Sequence, residues 1–69
     1  MKAKMKDNLE KRYRAALPGE LEAVENTNHV IGFLKSIEGK EVDLIFTGGD
    51  AFEKNDNNIW LPDELWDEI

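Results

Sequence analysis

The clearest hydrophobic pattern lies in the middle of the chain. Two segments rich in apolar residues, His29–Ile37 and Lys40–Thr47, flank the dipeptide Glu38-Gly39. A glycine adopts the positive φ of a two-residue hairpin turn at little cost. Pairing across this turn gathers six apolar side chains on one face of the two strands: Ile31, Phe33, Ile37, Val42, Leu44 and Phe46. The pattern therefore predicts a central antiparallel hairpin with these side chains in the core.

Two shorter strand patterns precede this hairpin. Met1, Ala3 and Met5 alternate with lysines, which is the two-residue period of a half-buried strand. Leu21–Val24 is a short apolar segment that turn-forming residues follow, and it is interpreted as a strand at the edge of the sheet. Because an open edge strand can pair between copies, the chain is expected to be a monomer or a weak homodimer.

Between these strands, the spacing of residues predicts one short helix over Asp7–Leu17. Asp7 and Glu10 have the spacing of a capping box, in which each side chain accepts a backbone hydrogen bond at the start of the helix. An apolar stripe follows at helical spacing: Leu9, Tyr13, Ala16 and Leu17. Pro18-Gly19 is expected to end the helix, because proline cannot continue the helical hydrogen bonds.

The C-terminal segment predicts a strand, a proline, one helical turn and a final short strand. In Ile59-Trp60-Leu61 the alternation puts Trp60 on the face opposite its two neighbours, away from the core. Pro62 suits the first turn of a helix or 3₁₀ segment, and the carboxylates of Asp63 and Glu64 suit its positive end.

Residues 20–69 resemble the SH3-like barrels. Members of that group often end with an aromatic residue, a proline, and a leucine followed by a short strand, as in Ile59–Leu65 here. The chain departs from the group in its N-terminal helix, in the polar segment Asp50–Asn58 and in lacking an early aromatic pair. The resemblance implies a module that binds peptides, nucleic acids or proteins. The chain also resembles short accessory proteins of bacterial phages and mobile elements.

The fold class expected from these patterns is mainly β with one short N-terminal helix. It is either a small SH3-like β-barrel or a strongly bent antiparallel sheet, in a single domain over residues 1–69. The 69 residues are 41% apolar and contain no cysteine, which excludes a disulfide framework and a cysteine-ligated zinc site. No apolar run approaches a membrane span and no signal-peptide pattern is present, so a cytoplasmic protein with no membrane partner is expected.

Charge is distributed unevenly along the chain. The net charge is −6, yet residues 1–14 carry +4 and the remaining residues carry −10. Six cations form the basic segment: Lys2, Lys4, Lys6, Lys11, Arg12 and Arg14. An acidic body repels phosphate, so packing of this segment against the body is favoured over a nucleic-acid-binding arm. The acidic body also permits an alternative function, a nucleic-acid mimic that blocks a DNA- or RNA-binding protein.

The sequence carries no enzyme signature, and no cofactor is expected. His29 is the only histidine and has no cysteine to activate. Gly48-Gly49-Asp50 lacks the lysine and hydroxyl residue that complete a phosphate loop. The oxygen-rich stretch Asp50–Asn58 lacks the spacing of an EF-hand and is interpreted as a solvated loop, so no metal ligand is predicted.

Tryptophan among carboxylates provides the strongest indication of function. An indole ring offers apolar area and cation–π attraction to a basic or proline-containing peptide, and the acids steer its approach. Six residues are the predicted contact residues: Trp60, Trp66, Asp63, Glu64, Asp67 and Tyr13. In the alternative, the N-terminal helix covers Trp60 with Leu9 and Tyr13. The sequence thus predicts a non-catalytic protein-interaction module, with the mimic or a phage accessory role as alternatives.

Overall fold

In the part of the chain that the structure describes, three helical segments separate the first strand from the other four. The computed structural model describes residues 1–23 and 27–69, without the side chains of residues 20, 23 and 57. In chain order the elements are β1 (Lys2–Met5), α1 (Leu9–Ala16), α2 (Glu20–Ala23), α3 (Thr27–Ile37), β2 (Glu41–Thr47), β3 (Asp50–Glu53), β4 (Asp56–Trp60), a 3₁₀ turn (Asp63–Leu65) and β5 (Trp66–Glu68).

The strands form one antiparallel sheet in the order β4-β3-β2-β1-β5. The sheet is not closed, and its two edges are β4 and β5. Gly48 and Gly49, at φ +62° and +88°, make the tight turn between β2 and β3. Positive φ at both central residues matches the right-handed twist of the strands that the turn joins. The expected antiparallel sheet and the predicted strand at Met1–Met5 are therefore confirmed.

The predicted strand His29–Ile37 is wrong, because these residues belong to helix α3. Its buried side chains are Val30, Leu34 and Ile37, which follow the i, i+4, i+7 spacing of a helix face. Gly39, at φ +68°, lies in the turn that leads from the helix into β2 rather than in a hairpin turn. The segment thus carries a two-residue and a helical pattern at once, and packing on the sheet selects the helix.

The hairpin register predicted across Glu38-Gly39 is wrong for the same reason. β2 pairs with β1 on one side and with β3 on the other. Of the large side chains expected to point inward, Leu44 is buried and Phe33 is half-buried, whereas Phe46 is 51% exposed. The fold is consequently a mixed α+β arrangement rather than a mainly β one.

Helix α1 is confirmed, but the predicted capping box is not formed. The N-cap residue of the helix is Asn8, at φ +57°, and its side chain makes no capping hydrogen bond. Instead the Leu9 N–H donates to Oε1 of Glu38, 2.9 Å away, from the turn after α3. The cap thus comes from a residue 29 positions further along the chain, which no local spacing predicts.

We expect the replacement Glu38→Ala to lower the free energy of unfolding by about 1 kcal/mol, the usual cost of losing a helix cap. The carboxylate of Glu38 satisfies a backbone N–H that α1 itself leaves unpaired. Urea unfolding followed by circular dichroism measures the change. Glu41→Ala, an exposed carboxylate at the start of β2, is the matched control and should change stability by less than about 0.5 kcal/mol.

One hydrophobic core joins the helices to the inner face of the sheet. It contains Ala3, Met5, Leu9, Tyr13, Leu21, Val30, Leu34, Ile37, Leu44, Ala51, Ile59, Leu61 and Leu65. The predicted edge strand Leu21–Val24 is wrong over residues 21–23, which form α2, and Val24 lies outside the described residues. Leu21 is buried, so its apolar character reflects the core face of a helix.

The predicted loop Asp50–Asn58 is a hairpin of β3 and β4. Ala51 is buried in the core, and Glu53 is buried at the end of β3. A carboxylate oxygen of Glu53 accepts the backbone N–H groups of Asn55 and Asp56 at 2.6 and 3.0 Å. This side chain therefore stabilises the turn between the two strands, and the oxygen-rich composition of the segment serves the backbone locally.

Candidate functional site: an acidic groove beside Trp60

A shallow groove of about 270 Å³ opens where the end of α1, the β2–β3 turn and the Pro62–Glu64 segment meet. Its lining residues are Ala16, Leu17, Gly49, Asp50, Ala51, Trp60, Pro62, Asp63 and Glu64. Three of them are carboxylates and none carries a positive charge. We call this feature the acidic groove. Trp60 is the aromatic residue in this lining, and Leu17 and Pro62 are among its other apolar members.

The position of Trp60 follows from the alternation along the end of β4. Ile59 and Leu61 are 5% and 0% exposed, whereas Trp60 is 38% exposed. The prediction that Trp60 points away from the core is therefore confirmed. Leu61 continues the pairing beyond β4, since its N–H donates to the Ala51 carbonyl at 2.9 Å. The backbone on which the indole stands is thus held by the sheet.

Trp60 also belongs to an apolar row on the outer face of the sheet. It lies opposite Phe52 of β3, which in turn lies opposite Ile45 of β2. Directly opposed residues in antiparallel strands point to the same face, and Ile45 is 39% exposed. The sequence predicts that Ala51 and Phe52 both point inward between two turns, but only Ala51 is buried, and Phe52 lies on the outer face. The alternation of Ala51, Phe52 and Glu53 between two turns is the signal that could have revealed it.

Trp66 lies apart from the acidic groove. It pairs with Met5 on the inner face of the sheet, opposite the face that carries Trp60. Its indole N–H donates to the Leu61 carbonyl at 3.2 Å, and its ring meets Phe46 edge-on with centroids 6.3 Å apart. The structure therefore does not bring the two tryptophans together in one site.

The other predicted contact residues divide between the groove and the rest of the fold. Asp63 and Glu64 are exposed and line the groove beside Trp60. Asp67 lies on β5, where its carboxylate is 3.8 Å from the Lys6 ammonium. Tyr13 is only 4% exposed and belongs to the core. Leu9 is buried in the same core, and the residues of α1 and its C-cap that line the groove with Trp60 are Ala16 and Leu17.

The basic N-terminal segment is part of the folded body. Lys2–Met5, which contains two of its lysines, forms β1, and this strand lies between β2 and β5 in the sheet. Arg14 lies 3.3 Å from Glu10, four residues earlier on α1, and 3.2 Å from Glu22. The guanidinium of Arg14 is therefore attracted to two carboxylates of the fold, in line with packing of the basic segment against the body.

His29 is exposed on α3 rather than in a turn. Its Nε2 lies 3.4 Å from an Oδ2 oxygen of Asp56 at the start of β4. Within residues 1–23 and 27–69, no group of three or more histidine and carboxylate side chains is arranged to hold a metal ion. The His29–Asp56 pair thus links a helix to the sheet edge.

The helices of the described residues are all too short to cross a membrane, since the longest, α3, has 11 residues.

The acidic groove is the feature of the described surface in which an aromatic ring, a proline and three carboxylates lie together. Protein-family models, curated proteins and solved structures were compared with the chain, and none matches it.

Proposed function

We propose that the protein is a non-catalytic interaction module that binds a basic segment of a partner protein in the acidic groove. The observation that carries this proposal is the exposed indole of Trp60 beside three carboxylates: Asp50, Asp63 and Glu64. A lysine or arginine placed over an indole face gains cation–π attraction, and nearby acids raise the local concentration of cations. Half-buried Leu17 adds apolar area for the aliphatic part of such a side chain.

We further propose that the fold is a variant of the SH3-like arrangement. Two features support this: a five-stranded antiparallel sheet in which β1 lies between β2 and β5, and a single 3₁₀ turn between β4 and β5. The terminal order of Trp60, Pro62, Leu65 and a short strand is the one on which the resemblance rests. The helical β1–β2 connection distinguishes this chain from the simplest members of that group.

A basic peptide suits the described surface better than a nucleic-acid-binding protein whose groove the chain would fill. A mimic of the phosphate backbone needs a long row of carboxylates that are free to face the partner. Here several carboxylates have partners within the fold: Glu10 and Glu22 with Arg14, Asp67 with Lys6, Asp56 with His29, and Glu53 with the β3–β4 turn. The acids of the groove form a compact group around one aromatic ring.

Titration of the full chain with a basic peptide tests the proposal. The probe is a nine-residue peptide of alternating lysine and valine, capped at both ends, and an alternating glutamate–valine peptide is the control. In nitrogen-15 correlation spectra we expect the Trp60 indole and the Gly49, Asp63 and Glu64 amides to shift, and the Trp66 indole to stay in place. Binding should weaken as salt rises, because exposed charges are screened.

Three outcomes contradict the proposal. One is the absence of binding by the lysine–valine peptide at low salt. Another is equal binding of the glutamate–valine peptide, which would remove charge as the basis of recognition. The third is a set of shifts centred on the Trp66 indole or on α1 rather than on the acidic groove, which would place the contact surface elsewhere.

A further inference from the structure

We propose that the basic segment binds as an added β-strand at the Trp60 end of β4, an edge with which no strand of the described residues pairs. This inference rests on the proposed function and specifies how the segment is held. Strand addition provides affinity through backbone hydrogen bonds and selects side chains at every second position. Here the side chains that fall beside Trp60 would be the basic ones.

The backbone of Trp60 has the orientation that strand addition requires. The Leu61 N–H donates to the Ala51 carbonyl, and Trp60 lies opposite Phe52. In an antiparallel ladder, hydrogen-bonded and non-hydrogen-bonded pairs of opposed residues alternate. The bond between Leu61 and Ala51, on one side of Phe52 and Trp60, makes these two a non-hydrogen-bonded pair. The N–H and C=O groups of such a pair point away from the partner strand. The Trp60 N–H and C=O therefore face away from β3, on the side where the sheet ends.

The two edges of the sheet differ in how well they resist pairing. β5 has three residues, two of which are the charged Asp67 and Glu68. β4 has five residues, contains neither lysine nor proline, and carries one charge, on Asp56. Short length and charged side chains are the usual means by which proteins block an edge strand. A register shift between Phe52 and Glu53 makes the pairing of β4 irregular before Trp60, and His29 of α3 contacts Asp56 at the start of the strand. The part of this edge that lacks such protection is therefore its end at Trp60, beside the acidic groove.

Charge identifies the occupant of this edge. Residues 50–64, which comprise β3, β4 and the start of the 3₁₀ turn, contain five carboxylates and one lysine, a net charge of −4. Pairing of β4 with β4 of a second copy would bring two such acidic segments together, and like charges across an interface are costly. A basic strand is attracted to the same edge. The inferred occupant is therefore an extended segment with lysine or arginine at alternate positions.

Hydrogen exchange distinguishes strand addition from contact by side chains alone. With the lysine–valine peptide in excess, we expect exchange of the Trp60 backbone amide to slow by about 10-fold or more, since that N–H gains a partner. The Asp63 and Glu64 amides, which are in the groove but beyond the strand, should change by less than about 2-fold. Two further peptides carry methyl groups on alternate sets of amide nitrogens. One set should weaken binding by about 10-fold and the other by far less, because only every second N–H faces β4.

The outcomes separate this inference from the proposed function. Shifts of the Trp60 indole without slower exchange of its backbone amide would overturn strand addition and leave the acidic groove as a binding site. Equal weakening by both methylated peptides would do the same. If the unmodified peptide does not bind at all, both proposals are wrong. Slower Trp60 exchange together with unequal methylation effects supports both.

Discussion

Replacing Leu34 with alanine is expected to lower the free energy of unfolding by about 3 kcal/mol. Leu34 is fully buried on α3 and belongs to the single core that joins the helices to the sheet. The loss includes the hydrophobic transfer of the removed carbons and the cavity that they leave. A chain of 69 residues has a total stability of about 3–10 kcal/mol, so this one substitution removes a large share of it. Urea unfolding followed by circular dichroism and tryptophan fluorescence measures the change.

A second substitution shows whether residues 27–37 form a helix or a strand. In the strand predicted from the two-residue pattern, Phe33 is in the core and Leu34 is on the other face. In α3, Leu34 is buried and Phe33 is half-buried. We therefore expect Phe33→Ala to cost less than Leu34→Ala, at about 1 kcal/mol, and exposed Lys35→Ala to change stability by less than about 0.5 kcal/mol. A larger loss for Phe33→Ala than for Leu34→Ala would contradict the helix.

The segment 27–37 shows why the middle of the fold could not be predicted from local pattern. Ile31, Phe33 and Ile37 satisfy a strand, while Val30, Leu34 and Ile37 satisfy a helix, and both sets are apolar. Local preference differs by only a few tenths of a kcal/mol per residue, so the choice depends on packing. Here β2 has β1 and β3 as neighbours, which leaves the preceding segment to cover the inner face. The conformation of residues 27–37 therefore depends on the pairing of β2 with β1, which lies at the start of the chain and far from this segment in sequence.

Elements with strong local signals were predictable. The alternation of Met1, Ala3 and Met5 with lysines gives β1, and the apolar stripe before Pro18 gives α1. Pro62 marks the 3₁₀ turn at Asp63–Leu65, because its fixed φ suits the residue before a helical turn. In each case one short-range feature excludes the competing conformation. The helix cap from Glu38 was not predictable, since it joins residues that only the tertiary fold brings together.

Part of the candidate site followed from the sequence for a similar reason. The exposure of Trp60 depends on strand alternation alone, and the acids Asp63 and Glu64 are its close neighbours in the chain. Trp66 is also close in sequence, but the intervening 3₁₀ turn redirects the chain so that β5 pairs with β1 and Trp66 lies on the inner face. The other walls of the groove, from α1 and the β2–β3 turn, depend on long-range packing and could not be inferred.

Replacing Trp60 with alanine is expected to weaken binding of the lysine–valine peptide by about 30-fold, which corresponds to about 2 kcal/mol. The indole is the one aromatic ring among the described residues that line the acidic groove, so alanine removes both apolar area and cation–π attraction. Trp60→Leu keeps much of the apolar area without the π system, and we expect an intermediate loss. Isothermal titration calorimetry at low salt measures both, and the unfolding midpoint of each variant shows that the fold is retained.

Ile45→Ala is the matched control for Trp60→Ala. Ile45 is exposed to almost the same extent, 39% against 38%, and lies in the same outer row, but it is two strands away from the open edge of the sheet. A partner held at the acidic groove and along β4 does not reach it, so its replacement should change affinity by less than about 3-fold. Equal losses for the two variants would move the binding surface from the groove to the outer face of β2, β3 and β4. Unchanged affinity in a folded Trp60→Ala variant would remove the aromatic contact, and with it the reason for assigning recognition to this groove.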